Sequence, residues 1–175
     1  MATGLRYTRN MFGPSALRAL GLLIAACMVA TAVAENSKDP IAVRAIAEVE
    51  RPTHERGRDT NKLVAAERVV SGDAVIYTLE VRNTAAATVP PPTVSYPVPE
   101  HMIYTADSAV GPVTQVTYSV DGGLTFDVPE NLKIAQPDGE LRAATAADYT
   151  HIRWQLKNAL KANSVAFVRF RARVK

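Results

Sequence analysis

The chain of 175 residues contains a single cysteine, and its charges are distributed unevenly along the sequence. Three of its 20 basic residues and none of its 17 acidic residues precede Glu35, so the sequence from Glu35 onwards has a formal charge of zero. A protein that neutralises phosphates needs a surplus of Lys and Arg, and this balance argues against nucleic acid as a partner. One cysteine cannot form an intramolecular disulfide, so packing must supply the stability of the fold.

The N-terminal residues have the pattern of a secretory signal. Three arginines come before an apolar run without charge: Arg6, Arg9 and Arg18, then residues 19–34. The run is shorter than the roughly 20 apolar residues that span a membrane, and Ala32 and Ala34 supply the small side chains of a signal-peptidase site. We therefore predict a signal peptide over residues 1–34 and a single exported domain over 35–175, periplasmic or extracellular.

The same run allows a second interpretation. Residues 24–27, Ile-Ala-Ala-Cys, resemble a bacterial lipobox, in which Cys27 is lipidated and becomes the first mature residue. The lipid would then anchor the protein to a membrane. Because the residues after Cys27 remain apolar where a lipoprotein tether is usually polar, we prefer cleavage before Glu35.

Alternating apolar and polar residues predict strands throughout the exported part. In 74–82, the residues Val75, Tyr77, Leu79 and Val81 share one face, which is typical of a half-buried strand. Further extended segments are predicted at 41–49, 63–70, 93–96, 102–108, 115–120, 124–128, 149–156 and 164–174. Three prolines at 90–92 require a crossing between elements, while 51–61 is a predicted loop and 137–148 another, with room for one helical turn. This spacing predicts an all-β fold, an immunoglobulin-like antiparallel β-sandwich of about seven to eight strands.

Four large apolar residues are candidates for the core between the sheets. Tyr77 and Val81 lie on the apolar face of 74–82, and Phe170 lies on that of 164–174. Trp154, the only tryptophan, shares its face with Ile152 and Leu156. In a sandwich without a disulfide, we expect Trp154 to be the central contact between the sheets.

Several short motifs resemble the conserved repeat domain family, also called domain of unknown function eleven. They are Gly72-Asp73, Tyr77, Val81 and Asn83-Thr84, then Pro99, Tyr104 and Ser108, then Tyr118-Ser119 with Asp121-Gly122, and finally Ile152, Trp154, Leu160, Phe170 and Val174. The likeness covers 63–174. The chain departs from the pattern at Asn163, where the family usually has Gly before its last strand.

The resemblance implies an immunoglobulin-like sandwich of a kind found in surface or secreted bacterial proteins, often as tandem spacer or adhesive modules. It implies no enzymatic activity, no catalytic residue and no cofactor. It leaves the ligand or partner open.

Residues 119–126 fit the S-x-D-x-G-x-T-aromatic pattern of an Asp-box. The matching residues are Ser119, Asp121, Gly123, Thr125 and Phe126. Short polar side chains in a turn usually bond the local backbone, so we interpret the motif as a structural hairpin turn. The alternatives are a glycan site or a Ca²⁺ site. One copy cannot form a propeller, because that fold needs several blades of about 40 residues.

No pattern in the sequence predicts catalysis or metal binding. His54, His101 and His151 are far apart and belong to no H-E-x-x-H or Cys/His arrangement. There is no G-x-S-x-G elbow, and carboxylate pairs cannot be placed in space from the sequence, so a small secreted hydrolase is a remote alternative.

Two sets of side chains are candidate contacts to a partner. Arg169, Arg171 and Arg173 fall on one face of the last strand, either as a site for an anionic envelope polymer or as a solvated face that discourages edge pairing. Tyr96, Tyr104 and Tyr118 are either a platform for sugar stacking or part of the core, and we prefer the core.

These observations together predict an exported, non-catalytic structural or interaction module of the bacterial cell envelope. Its expected partner is a protein or another envelope component, and a glycan-binding module is the alternative. A membrane is expected only if Cys27 is lipidated.

Mass spectrometry of the mature N-terminus tests the prediction of export. We expect an unmodified chain that begins at Glu35. A lipid-modified Cys27 would show that the lipobox interpretation is correct, and a mature protein that retains Met1 would contradict export by either route.

Overall fold

Strands and short turns make up the part of the chain that the computed structural model describes, residues 39–55 and 57–175. In chain order, β1 to β10 are Ile41–Glu55, Arg58–Ala65, Ala74–Asn83, Thr93–Pro97, Met102–Tyr104, Thr114–Ser119, Lys133–Ala135, Leu141–Ala143, His151–Leu156 and Val165–Val174. Two 3-10 turns cover Pro129–Asn131 and Ala146–Asp148. The fold class is confirmed: the described chain is all-β.

The strands form antiparallel sheets that pack as an immunoglobulin-like sandwich. The larger sheet has the order β2-β1-β3-β10-β5, the smaller has β4-β9-β6, and β7 pairs with β8 in a separate hairpin. Prolines 90–92 lie on the crossing between the two sheets, where an amide without N–H interrupts no ladder. In the smaller sheet, β9 is the central strand, between β4 and β6.

The core lies between these two sheets and is rich in aromatic rings. The structure places Tyr77, Val81, Trp154 and Phe170 in it, and the last two are 0 % exposed. Phe170 on β10 stacks on Tyr77 of β3, with ring centroids 4.8 Å apart, and its centroid lies 6.0 Å from that of Trp154 on β9. This contact joins the sheets across the sandwich.

The predicted loop at 51–61 is wrong. β1 continues to Glu55, and β2 begins at Arg58, so that the segment is an antiparallel hairpin with Thr53 opposite Thr60. All residues of β2 are exposed, so no apolar face is needed and no apolar period marks the strand in the sequence. Arg51 anchors the base of this hairpin by donating two hydrogen bonds to the Asp73 carboxylate, at 2.8 and 3.0 Å.

Two other predicted elements differ from the structure. No strand forms at 124–128; only Asp127 bridges back, to Tyr118, because the preceding turn folds on its own side chains. The predicted excursion at 137–148 contains the short strand β8 and the 3-10 turn Ala146–Asp148, in which Thr145 and Asp148 cap each other. The helical turn for which the sequence left room in this segment is thus present, as a 3-10 turn.

Two asparagines stabilise turns at the ends of core strands: Asn83 at the end of β3 and Asn163 before β10. The Asn83 side chain is buried and donates to the carbonyl groups of Ala87, Leu160 and Lys161, which ties two loops to the end of β3. Asn163 has a φ of 57°, the left-handed conformation that Asn tolerates better than most residues. Asn163 therefore allows a left-handed turn before β10 without a glycine.

Replacement of Trp154 by Ala should strongly destabilise the protein. Truncating a fully buried aromatic side chain costs about 3–5 kcal/mol, a large part of a typical stability of about 5–15 kcal/mol. Trp154→Phe should cost less, because the ring remains and the buried indole N–H, which has no partner among the described residues, is removed. Urea unfolding followed by tryptophan-independent circular dichroism measures both.

Arg171→Ala is the matched control, because Arg171 lies on the solvent face of the same sandwich and its ion pair with Glu50 is exposed and 3.7 Å long. Its stability should change by less than about 0.5 kcal/mol. An equal loss in both Ala variants would contradict the central position of Trp154.

Candidate functional site

The Asp-box segment is a turn closed by its own side chains. The buried Ser119 hydroxyl donates to the Asp121 carboxylate at 2.7 Å and accepts from the Gly123 amide at 2.9 Å. Asp121 also accepts from the backbone amides of Leu124 and Thr125 and from the Thr125 hydroxyl. These hydrogen bonds, those of Thr125 above all, hold the pKa of Asp121 well below its ordinary value. The carboxylate is therefore committed to the turn.

The turn places Phe126 on the outer face of the smaller sheet. Gly123 has a φ of 88°, which a residue with a Cβ rarely adopts, and the chain reverses there. Phe126, half-buried, then lies under Arg153 of β9, whose Cζ is 3.5 Å from the ring centroid. The His151 ring meets it edge-on, with centroids 6.5 Å apart. A cation–π contact of this kind restricts the guanidinium to one orientation.

The register of the smaller sheet gathers polar side chains around Arg153. Two rows cross β4, β9 and β6: Ser95, Arg153 and Thr117, then Thr93, Gln155 and Gln115. A depression of about 230 Å³, called here the polar depression, is lined by Thr93, Gln115, Thr117, Phe126, Arg153 and Gln155. None of these six residues carries a carboxylate or an imidazole.

Hydrogen-bond donors dominate the polar depression. Lys157 Nζ donates to Gln115 Oε1 at 2.7 Å and to Gln155 Oε1 at 3.1 Å, so the two carboxamide nitrogens remain as donors. The Nε of the Arg153 guanidinium is buried and has no acceptor among the described residues. The arrangement can bind an acceptor from solution, whereas it offers no base or nucleophile.

The structure overturns the interpretation of Tyr96, Tyr104 and Tyr118 as a sugar platform. Tyr104 and Tyr118 are buried, their hydroxyl oxygens lie 3.0 Å apart, and burial raises the pKa of Tyr118. Tyr96 packs against the same core. The preferred prediction, that these tyrosines belong to the core, agrees with the structure.

The arginine row on β10 is solvent-exposed but does not guard a sheet edge, because β10 lies between β3 and β5. Each arginine already has a partner in the protein: Arg169 donates to the Thr78 hydroxyl, Arg171 pairs with Glu50, and Arg173 donates to the Gly72 carbonyl. The edge-protection interpretation is wrong. Each arginine of the row thus has one protein partner, whereas the Nε of Arg153 has none among the described residues.

A separate cleft beside β10 is apolar. Pro112, Leu156, Leu160 and Phe167 contribute to its lining, and Phe167 is 54 % exposed. Its lining has no charged side chain, and Asn158 is its one polar side chain, so the cleft offers little to orient a small polar ligand.

The remaining predicted positions are not joined into a site. His54, His101 and His151 lie on the β1–β2 hairpin, before β5 and on β9, and no group of three His, Cys, Asp or Glu in the described ranges is arranged to hold a metal. No helix within 39–55 or 57–175 is long and apolar enough to cross a membrane. Cys27, Ala32 and Ala34 lie outside the described residues.

Comparison with known proteins adds no relative. No family model, curated protein or solved structure matches the sequence. The resemblance to the conserved repeat domain family stays a prediction, and the function must be inferred from the geometry.

The polar depression was missed in the sequence because its members come from three strands and one turn. A signal was present: His151, Arg153 and Gln155 alternate with the apolar residues of β9 and so had to face outwards. Their neighbours on β4 and β6 depend on the register, which no local pattern specifies.

Asp121→Asn should lower the thermal midpoint at neutral pH, because the amide cannot accept all the bonds that the carboxylate accepts. The lowered pKa of Asp121 means that its contribution is fully present above the unfolded value of about 3.9 and is lost as the pH falls through the folded value. The difference in midpoint between the wild type and this variant should therefore shrink below about pH 4. Asp138→Asn is the control, since Asp138 accepts from one exposed amide, that of Glu140. A difference that stays constant down to the lowest pH would contradict this role of the carboxylate.

Proposed function

We propose that this protein is an exported, non-catalytic interaction module of the bacterial cell envelope, and that the polar depression is its ligand-binding surface. Export rests on the N-terminal sequence, and the bacterial envelope rests on the resemblance to the conserved repeat domain family. The observation that carries the binding role is Arg153, which lines an open depression and whose Nε has no acceptor among the described residues.

The chemistry of the depression favours binding over catalysis. General acid–base catalysis and nucleophilic catalysis need a titratable group or an activated nucleophile at the reacting atoms. The lining residues contribute two hydroxyls, two carboxamides, one guanidinium and one phenyl ring. The hydroxyls of Thr93 and Thr117 lie in rows with Gln155 and Arg153, and neither row contains a base.

A glycan is the second candidate for the partner. Hydroxyl and carboxamide groups beside an aromatic ring are suited to sugar hydroxyls, and the site is open and shallow enough for one unit of a polymer. In the sequence, the Asp-box hairpin and the nearby tyrosines suggested a glycan. The tyrosines belong to the core, so this candidate now depends on the Asp-box turn and the polar depression that its Phe126 lines.

Thr117→Trp tests the binding surface, since it fills the polar depression without changing its charge. The wild-type protein should co-sediment with cell envelopes isolated from the organism that encodes it, and Thr117→Trp should lose most of this binding. Thr93→Trp, on the edge strand β4, repeats the test if Thr117→Trp folds poorly. Thermal midpoints establish that the variants are folded.

Phe167→Ser is the matched control on the apolar cleft and should bind as the wild type does. Loss of binding in Phe167→Ser with retention in both Trp variants would move the interaction surface to the cleft. Absence of wild-type binding to envelopes would contradict the proposed function itself.

A further inference from the structure

We infer that the polar depression binds a saccharide unit that carries an oxyanion, a uronate carboxylate or a sugar phosphate, with the anionic group on Arg153. This inference rests on the proposed function and specifies its ligand. It follows from the charge of the depression, the unused Nε donor of Arg153 and the way Phe126 holds the guanidinium.

The first step is the unsatisfied bonding of Arg153. A guanidinium has five N–H donors, and in Arg153 the Nε donor has no acceptor among the described residues. Its Nε is buried, and a buried donor without a partner is costly. Natural structures leave few such groups, and those that remain call for a partner from outside the chain.

The second step is the sign of the charge. Arg153 contributes one positive charge to the depression, and Lys157 holds a second at its rim through Gln115 and Gln155. None of the six lining residues is acidic, so nothing in the lining neutralises Arg153. A planar guanidinium matches a carboxylate or a phosphate through two parallel hydrogen bonds. The complementary ligand is therefore an oxyanion.

The third step is preorganisation. The Phe126 ring lies 3.5 Å from Arg153 Cζ, which fixes the guanidinium before any ligand arrives. The Asp-box turn holds Phe126 in place, and Phe126 holds Arg153. The ligand therefore need not order the Arg153 side chain on binding. Among the described residues, the three arginines of β10 have no such ring partner, and they already donate to or pair with protein groups.

The fourth step is the size and polarity of the rest of the depression. Its volume of about 230 Å³ is below the roughly 300–1,000 Å³ of sites for drug-sized ligands, so it fits one small unit. Thr93, Thr117 and the two carboxamide nitrogens are suited to ring hydroxyls around the anionic group. A saccharide unit supplies both kinds of group in one ring.

Amide chemical-shift titrations of the ¹⁵N-labelled protein test the inference with defined probes. Glucuronate, glucose 6-phosphate and glucose distinguish carboxylate, phosphate and neutral sugars, and acetate and inorganic phosphate test the anion alone. Glucuronate or glucose 6-phosphate should shift the amides of β4, β6 and β9, with an affinity at least about tenfold above that for glucose. The anionic sugar should also bind more tightly than acetate or inorganic phosphate.

Arg153→Gln should reduce the affinity for the anionic sugar at least about tenfold and weaken its dependence on salt, to which Lys157 still contributes. Arg153→Lys keeps the positive charge but loses the planar guanidinium with its two parallel donors. Its affinity should therefore lie between those of the wild type and Arg153→Gln. Arg171→Gln is the matched control, an arginine on the solvent face of the other sheet, and should bind as the wild type does.

Three outcomes would overturn the inference. They are equal binding of glucose and the anionic sugars, full binding by Arg153→Gln, and loss of binding in Arg171→Gln instead, which would assign the anion to the arginine row. Envelope binding that persists in Arg153→Gln but is lost in Thr117→Trp would refute the anionic ligand and leave the proposed function intact. If wild-type binding to envelopes is also absent, both proposals fail.

Discussion

The contact between Phe170 and Trp154 is the interaction on which the rest of the structure depends. It joins the two sheets through rings with centroids 6.0 Å apart, both fully buried. No disulfide can share this role, because the chain has one cysteine. Phe170 also stacks on Tyr77 and lies 6.0 Å and 6.4 Å from the rings of Tyr96 and Tyr104, so one side chain of β10 organises the aromatic core. The strands that contribute to this core are oriented by that packing.

The position of the candidate site is a consequence of that orientation. Successive side chains of a strand point to opposite faces, so burial of Ile152, Trp154 and Leu156 forces Arg153 and Gln155 outwards. A shift of one residue in β9 would exchange these sets, bury a guanidinium between the sheets and expose the indole. The core therefore determines both where the polar depression lies and which side chains it contains.

Alternation in the sequence was enough to predict the fold class and the strands that border the core, because those strands must bury one face. It failed where no face is buried. Strand β2 is exposed along its whole length and is held by backbone pairing with β1, so its residues look like a loop. The position of β10 in the sheet could not be predicted for a related reason. Its arginines suggested an edge strand, but which strand lies at an edge depends on pairing between distant segments of the chain. The candidate site needed the register of β4, β9 and β6 together with the reversal at Gly123, and neither can be read from one segment.

The structural and functional interpretations of the Asp-box are linked by one chain of contacts. Asp121 accepts the bonds that close the turn, the turn places Phe126, and Phe126 orients Arg153. A residue that bonds only its own turn can therefore affect a ligand that it does not touch. Without the closed turn, Arg153 would have the rotamer freedom of any long side chain, and a ligand would have to order it at a cost of about 0.5–1.5 kcal/mol. With the turn intact, that ordering is already complete when the protein folds, so the stability of the turn and the proposed affinity of the polar depression for its ligand are coupled.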